Sequence, residues 1–194
     1  MNEAPATLIG AAIPRPDAVD KVRGEARFVA DLAFPGMLHG AVVRSPHPHA
    51  RILGIHVEAA RALPGVVAVL TAADVPGENI VHVIVDDQPA LATDVVRYIG
   101  EPVAVVAAET RRAARAAVDA VRVDYDLLPF VTDPLTALEP GAPQVAVASA
   151  SEGGNLFNRM ILVKGDADAA LAGADVVVEE TYETGYQEHA YLET

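Results

Sequence analysis

Cysteine is absent from this sequence of 194 residues. Without thiols, the chain can form no disulfide and can supply no thiolate ligand to zinc or to an iron–sulfur cluster. Positive charge is also scarce, because 14 Lys and Arg stand against 27 Asp and Glu for a formal net charge of −13. A nucleic-acid surface needs clustered cations to neutralise phosphates, so this composition argues against such a partner.

Long apolar runs are missing as well. No stretch approaches the roughly 18 consecutive apolar residues of a membrane span. Residues 1–17 are broken by prolines and lack the basic start and apolar core of a signal peptide. Hydrophobic residues still make up 52% of the chain, enough to bury a core. We therefore expect a cytoplasmic protein consisting of one domain, or of one domain and a fragment.

The composition divides the chain into four parts. Residues 1–19 are predicted to be an extended arm, and residues 20–131 an α+β body of short strands and small helices. Residues 132–155 contain three prolines and three glycines and are predicted to be a linker. Order is expected to resume in residues 156–194 as a second, shorter piece.

Short apolar runs open the body. Residues 26–32 and 37–45 are predicted to be strands on either side of a turn at Pro35 and Gly36. Residues 66–70 are rich in β-branched side chains and are predicted to form a buried strand, followed by a helical turn that Thr71 caps.

The segment "VRYIGEPVAVVAAET", residues 96–110, places a Gly-Glu-Pro corner before an apolar run. Pro102 has no N–H for a sheet ladder, so it is expected at the first position of a strand that continues, buried on both faces, to Ala108. Thr110 is expected to cap the following helix, whose small apolar stripe would pack on the sheet. Alternating apolar and charged residues then predict a half-exposed strand within residues 121–131.

The second piece carries its own helix signals. Asp166 is expected to cap a short helix that Gly173 ends, and residues 176–182 are predicted to be a strand.

Two pairs of side chains could carry chemistry alone. His47 and His49 would face the same way in an extended segment and could share a metal, but solvated imidazoles in a proline-rich turn are the stronger interpretation. Asp86 and Asp87 could be paired carboxylates for acid–base catalysis, although a solvated acidic turn is favoured. We assign no catalytic residue and no metal ligand.

A polar cluster near the end of the sequence is the remaining candidate. Gln187, Glu188, His189 and Glu193 gather hydrogen-bond donors and acceptors in a chain dominated by Ala and Val. They could orient a bound group, or they could form a purely structural network of a histidine and carboxylates.

Six segments in one order resemble the N-terminal part of the molybdenum-binding large subunit of the xanthine dehydrogenase and aldehyde oxidase family. They cover the chain from about residue 10 to its end: "PRPDAVDKVRGEARFVADL", "MLHGAVVRSPHPHARI", "LPGVVAVLTAADVPG", "VRYIGEPVAVVAAET", "VDYDLLPFVTDP" and "GDADAALAGADVVVEETYETGYQEHAYLET". The resemblance implies an α/β hammerhead domain at residues 20–131 and the start of a molybdopterin-binding domain at 156–194. It also implies oxidative hydroxylation of an aldehyde or N-heterocycle with oxygen from water.

The cofactors implied are a molybdenum–pterin group, completed by the remainder of the molybdenum subunit or another chain, and iron–sulfur clusters and FAD on partner chains or domains. The partners implied are that remainder, an iron–sulfur subunit and an FAD subunit. Gln187, Glu188, His189 and Glu193 would then position the cofactor without touching the metal. The glycine-rich loop near the pterin and the glutamate base of the family lie further along such a subunit. We therefore expect this chain alone to be an inactive scaffold, a truncation or a split piece. The alternative is a free-standing interaction module with the same fold and no redox activity.

Overall fold

The computed structural model describes residues 9–82, 86–145 and 154–189. The helices are α1 (Ala18–Arg23), α2 (Glu58–Arg61), α3 (Arg111–Ala120) and α4 (Ala167–Ala172). The strands are β1 (His39–Arg44), β2 (Ala50–His56), β3 (Val66–Thr71), β4 (Val95–Val96), β5 (Pro102–Ala108) and β6 (Arg122–Leu127). Single 3-10 turns lie at Val29–Asp31, Ala72–Asp74 and Thr136–Leu138.

The chain divides into two compact units. One holds Gly36–Val177, and the other combines Met1–Pro35 with Val178–Thr194. All six strands belong to the first unit. In the part of the chain that the structure describes, no helix has both the length and the apolar character needed to traverse a bilayer.

The first sheet has the order β1-β5-β3, with β5 antiparallel to both neighbours. Pro102 begins β5 as predicted, and Val103, Ala104, Val106 and Ala108 are buried. A central strand has neighbours on both edges and packing on both faces, which explains its continuous apolar run. The predicted strand at residues 37–45 is confirmed as β1.

Helix α3 covers the first sheet. The Thr110 hydroxyl accepts a hydrogen bond from the Ala113 N–H at 3.1 Å, which confirms the predicted cap. Ala114 and Ala117 face inward and join a buried cluster. Because these side chains are small, the helix can approach the strands closely. The other buried members of this cluster are Val57, Ala60, Val69, Val106 and Ala108.

The second sheet has the order β4-β2-β6, again antiparallel. Strand β6 confirms the strand predicted within residues 121–131, and its residues are intermediate or exposed, as expected from the alternating pattern. Although β5 and β6 flank α3 in the chain, they pair in different sheets. A small buried cluster of Ala50, Ala92, Val96 and Val103 adjoins this sheet.

Two strand predictions in the first half need correction. Residues 26–32 form no strand in the described range 9–82. Instead, the Asp31 carboxylate accepts the Phe28 N–H at 3.0 Å and closes a 3-10 turn at Val29–Asp31. Residues 66–70 are a strand but not a buried one, because β3 lies at a sheet edge and Val67 is 57% exposed. Apolar composition alone does not distinguish an edge strand from a central one.

Thr71 is the N-cap residue of the helical turn Ala72–Asp74, as predicted, and it forms a capping box with Asp74. The Asp74 carboxylate accepts both the Thr71 N–H at 2.8 Å and the Thr71 hydroxyl at 3.0 Å. Asp74 thereby completes the cap, and these bonds lower the pKa of its carboxyl group below the usual range.

The segment after residue 154 confirms its helix but not its strand. Asp166 accepts the Ala169 N–H at 2.9 Å at the start of α4, and Gly173 follows the last helical residue. Residues 176–182 adopt no strand in the described range 154–189. Val176 and Tyr182 are 78% and 86% exposed, and a β-prone run gains a ladder only where a neighbouring strand supplies hydrogen bonds.

Candidate functional site

The predicted polar cluster lies partly within the described residues. Gln187, Glu188 and His189 are exposed, and Glu193 lies outside the described residues. The Gln187 Nε2 donates to the Glu188 carbonyl at 3.5 Å, and the His189 N–H donates to the Glu188 carboxylate at 3.0 Å. The three residues therefore present polar groups at the surface, in a segment without helix, strand or turn, and they do not form the walls of a pocket.

A molybdenum–pterin group has requirements that these residues meet only in part. In that cofactor, the pterin dithiolene holds the metal, so the protein has to supply hydrogen-bond donors, acceptors and an enclosed cavity. Gln187 and His189 have the polar chemistry, but their exposure gives no enclosure. Within residues 9–82, 86–145 and 154–189, no group of three His, Cys, Asp or Glu side chains could bind a metal. The described residues alone do not form a site for the cofactor.

The histidine and aspartate pairs have structural partners. The His47 ring packs edge-on against Tyr125 with centroids 4.9 Å apart, and His49 Nδ1 lies 2.7 Å from the Pro129 carbonyl. Asp86 accepts from His82 Nδ1 at 2.7 Å on an exposed loop. These contacts favour the structural interpretation of both pairs, because each histidine has its own separate partner.

Glu101, in the Gly-Glu-Pro corner, is the most deeply buried charged side chain among the described residues, with 1% exposure. Its carboxylate accepts the Arg97 backbone N–H in a short hydrogen bond, and its other oxygen lies 3.9 Å from the Arg97 guanidinium. The backbone adds further bonds: Ser45 N–H donates to the Glu101 carbonyl at 2.9 Å, and Gly100 N–H donates to the Ser45 carbonyl at 2.8 Å. Together these bonds attach the corner to the end of β1.

Burial raises the pKa of Glu101, because removing the carboxylate from water penalises its charged form. The Arg97 N–H bond and the Arg97 charge act in the opposite direction without cancelling the effect of burial. A buried, raised carboxyl can mark a catalytic acid, but it can also hold a turn together. Here the oxygens are committed to Arg97, so the geometry supports the structural role.

A cavity of about 270 Å³ lies beside this corner, with Arg97, Tyr98 and Asn155 in its wall. The Asn155 amide nitrogen donates to the Ala137 and Pro143 carbonyls, both at 2.9 Å, and its oxygen accepts the Val145 N–H at 3.0 Å. Asn155 therefore binds the backbone of three earlier residues, Ala137, Pro143 and Val145, and has little hydrogen-bonding capacity left for a ligand.

The sequence around Glu101 carries a signal for its burial that the predictions above do not use. A glutamate between a glycine and a proline, directly before a doubly buried strand, needs internal hydrogen-bond partners once the strand is enclosed. The positive φ of Gly100, 93°, turns the backbone so that Glu101 points inward.

Two family models match successive parts of this chain. The model described as "Aldehyde oxidase and xanthine dehydrogenase, a/b hammerhead domain" matches residues 23–129, which include both sheets. The chain belongs to the aldehyde oxidase and xanthine dehydrogenase family. A second model, described as "Molybdopterin cofactor-binding domain", matches residues 150–194. The resemblance and the α+β hammerhead fold class are thereby confirmed.

The relatives of this family member include dehydrogenase subunits. The chain is 43% identical over 180 residues to a probable xanthine dehydrogenase subunit of Bacillus subtilis, covering 93% of this chain and 24% of that one. It is 40% identical over 177 residues to the nicotinate dehydrogenase large molybdopterin subunit of Eubacterium barkeri, covering 91% of this chain and 40% of the relative. The chain therefore spans less than half the length of these two relatives.

Solved structures share the fold. The aldehyde oxidoreductase from Desulfovibrio gigas superposes with a TM-score of 0.75 at 34% sequence identity, over 84% of this chain and 19% of that one.

Proposed function

We propose that this chain forms the hammerhead domain and the first part of the cofactor-binding domain of a molybdenum hydroxylase. The complete enzyme oxidatively hydroxylates an aldehyde or an N-heterocycle, with the new oxygen taken from water. The contribution of this chain is scaffolding, and the chain alone is inactive. The molybdenum–pterin group supplies the redox chemistry when bound, and it is enclosed by the remainder of the subunit or by another chain.

One observation carries this proposal: 93% of the chain aligns with a probable xanthine dehydrogenase subunit, and 91% with a nicotinate dehydrogenase molybdopterin subunit. Those alignments continue through the hammerhead region into the region matched by the cofactor-domain model. An interaction module that had kept only the hammerhead fold would have no reason to retain the second segment.

The site residues follow from this proposal. Gln187, Glu188 and His189, with Glu193, orient the cofactor through hydrogen bonds without contacting the metal. The exposure of the first three supports this role, because their side chains lie at the surface, where a cofactor-bearing domain can cover them.

The organisation of the chain follows as well. We assign residues 1–19 to an arm, 20–131 to the hammerhead domain, 132–155 to a linker and 156–194 to the cofactor-binding domain. Iron–sulfur clusters and FAD lie on partner chains or domains. For the clusters this follows from composition, since a chain without cysteine cannot supply their thiolate ligands. We place the assembled enzyme in the cytoplasm.

The test is purification of the native complex through a tag on this chain, followed by metal analysis and an activity screen. We expect co-purifying subunits, molybdenum and iron in fixed ratio to this chain, and oxidation of at least one purine, aldehyde or aromatic acid in buffer containing ¹⁸O-water, with the label in the product. A matched sample from cells grown with tungstate should keep its subunits and lose its activity.

A metal-free monomer recovered from the native host would contradict the proposal and favour the interaction module. Product labelled from dioxygen instead of water would contradict the reaction type while leaving the assembly intact.

A further inference from the structure

Helix α3 carries an unusual concentration of positive charge. Arg111, Arg112 and Arg115 are all exposed and all lie in its first five residues. The spacings i, i+3 and i, i+4 bring the side chains of Arg111 and Arg112 next to that of Arg115. Three of the 14 Lys and Arg of a chain with net charge −13 therefore form one basic cluster.

Nothing in the described residues neutralises this cluster. None of the three guanidinium groups makes a hydrogen bond or an ion pair within residues 9–82, 86–145 and 154–189, although the sequence holds 27 carboxylates. Other arginines in the chain do find partners: Arg15 pairs with Asp17, and Arg122 pairs with Asp124.

The position of the cluster also opposes the helix dipole. The N-terminus of a helix is electropositive, so cations in the first turn are unfavourable. Helix α3 has no acidic residue in its first turn to compensate. Arg111 and Arg112 both break this rule in the first turn with no compensating contact, so the cluster is better explained by something outside the described residues.

A groove lies directly beside these arginines. Pro64 and Gly65 form one wall, Ala113 and Ala116 of α3 form the other, and Arg112 and Glu109 lie on its rim. The Glu109 N–H donates to the Gly65 carbonyl at 2.8 Å, which fixes the two walls to each other. The groove encloses about 470 Å³ and is open to solvent, so it has room for an apolar side chain.

We propose that Arg111, Arg112, Arg115 and this groove, together called the α3 basic face, dock an acidic segment of a partner subunit. Its carboxylates pair with the guanidinium groups, and one apolar side chain enters the groove. Glu109 repels a carboxylate on its side of the groove and so sets the register. This inference rests on the proposed function, because the partner is taken to be another subunit of the enzyme.

An acidic protein fits better than a nucleic acid. Three arginines on a chain with 27 carboxylates attract anions locally, while the chain as a whole repels them. A short acidic segment can use the local attraction, whereas a long nucleic acid also meets the repulsion. Arginine is also the cation most enriched at the energetic centres of protein interfaces, since its planar group binds a carboxylate through two parallel hydrogen bonds.

Arginine footprinting gives the first test. The complete molybdenum subunit, alone and in the native complex, is treated with phenylglyoxal, and modification is located by mass spectrometry. We expect all three arginines to react in the lone subunit and to be protected in the complex, while exposed Arg51 reacts equally in both. Equal rates would overturn the proposal. Protection already present in the lone subunit would also overturn it, because the occupant would then be the rest of the same polypeptide.

Charge reversal gives the second test. The triple variant Arg111→Glu, Arg112→Glu, Arg115→Glu is titrated with the co-purified iron–sulfur subunit, beside a control with the same charge change, Arg23→Glu, Arg27→Glu, Arg51→Glu. We expect affinity for the iron–sulfur subunit to fall by at least about 30-fold at low salt in the first variant, and by less than about threefold in the control. The salt dependence of assembly should also weaken.

The melting temperature of the reversed subunit distinguishes a folding defect from a loss of docking. Glutamates at a helix N-terminus are favourable, so the melting temperature of the reversed subunit should match or exceed that of wild type. Unchanged affinity in this variant would refute the docking surface. Loss of binding to a labelled single-stranded DNA with normal subunit assembly would also refute it, in favour of nucleic acid. A wild-type complex without molybdenum contradicts the proposed function, whereas an active complex indifferent to reversal contradicts only the docking surface.

Discussion

Substitutions at Glu101 distinguish the contribution of its hydrogen bond to stability from the contribution of its charge. Replacing Glu101 by Ala removes the acceptor of the Arg97 N–H and empties a site that is 1% exposed. An orphaned buried donor costs about 1–3 kcal/mol. The cavity left by the missing atoms adds about 1 kcal/mol or more. We therefore expect Glu101→Ala to lower the free energy of unfolding by about 3 kcal/mol.

Glu101→Gln should behave differently. The amide oxygen can still accept the Arg97 N–H, and the neutral group avoids the burial penalty that raises the pKa of the carboxyl. At neutral pH we expect this variant to lie within about 1 kcal/mol of wild type, on either side. Glu109→Ala, at an exposed glutamate, is the control, with an expected change below about 0.5 kcal/mol.

The pH dependence follows from the direction of the shift. Because the folded-state pKa of Glu101 is raised, its contribution to stability is complete below the unfolded-state pKa and is lost as pH rises through the folded value. The stability of Glu101→Gln relative to wild type should therefore increase as pH rises above about 4.3, the usual pKa of a glutamate.

The assay is urea unfolding of the 194-residue chain, followed by far-ultraviolet circular dichroism at several pH values. Two results would refute the reasoning. If Glu101→Gln costs as much as Glu101→Ala, the charge interaction with Arg97 outweighs the hydrogen bond and the burial penalty. If the variant and wild type keep a constant difference across pH, the carboxyl does not titrate differently on folding.

The sequence predicted best where local chemistry determines the structure. Pro102 at a strand start, Thr110 and Asp166 as caps, and Gly173 after a helix all confirm the predictions. Each of these effects acts within a few residues, so no knowledge of the tertiary fold was needed.

Predictions failed where the outcome depended on distant partners. The run 176–182 has strand composition but no strand neighbour within the described residues 154–189, and β3 is apolar yet lies at a sheet edge. A periodic pattern predicts what a segment could form, whereas burial depends on which other segment packs against it. The position of Glu101 directly before a buried strand indicates burial, but only the structure shows that its carbonyl accepts the Ser45 N–H, a contact between residues far apart in the chain.

The sequence predicted which segment holds the candidate site, but it did not predict how the side chains of that segment are arranged. Gln187 to His189 were singled out by their polar composition, and the structure leaves them exposed. A cofactor site made by several domains cannot be assembled from one of them, because the enclosing walls belong to other parts of the protein. The α3 basic face, by contrast, could not be predicted from the sequence. Recognising it requires the start of α3 and the finding that the three arginines have no partner among the described residues.

Two substitutions test the packing and the turn that position α3. Ala117→Leu should lower the free energy of unfolding by about 1–3 kcal/mol, because Ala117 is 0% exposed against the first sheet, whereas Ala116→Leu on the exposed face should change it little. Gly65→Ala should cost about 1–2 kcal/mol, because Gly65 has a φ of 80°, a left-handed conformation that a Cβ disfavours. Gly77→Ala is the matched control, because Gly77 has no positive φ and an added Cβ would have no neighbour within 4 Å. Equal urea midpoints for the two glycine variants would contradict the strain argument.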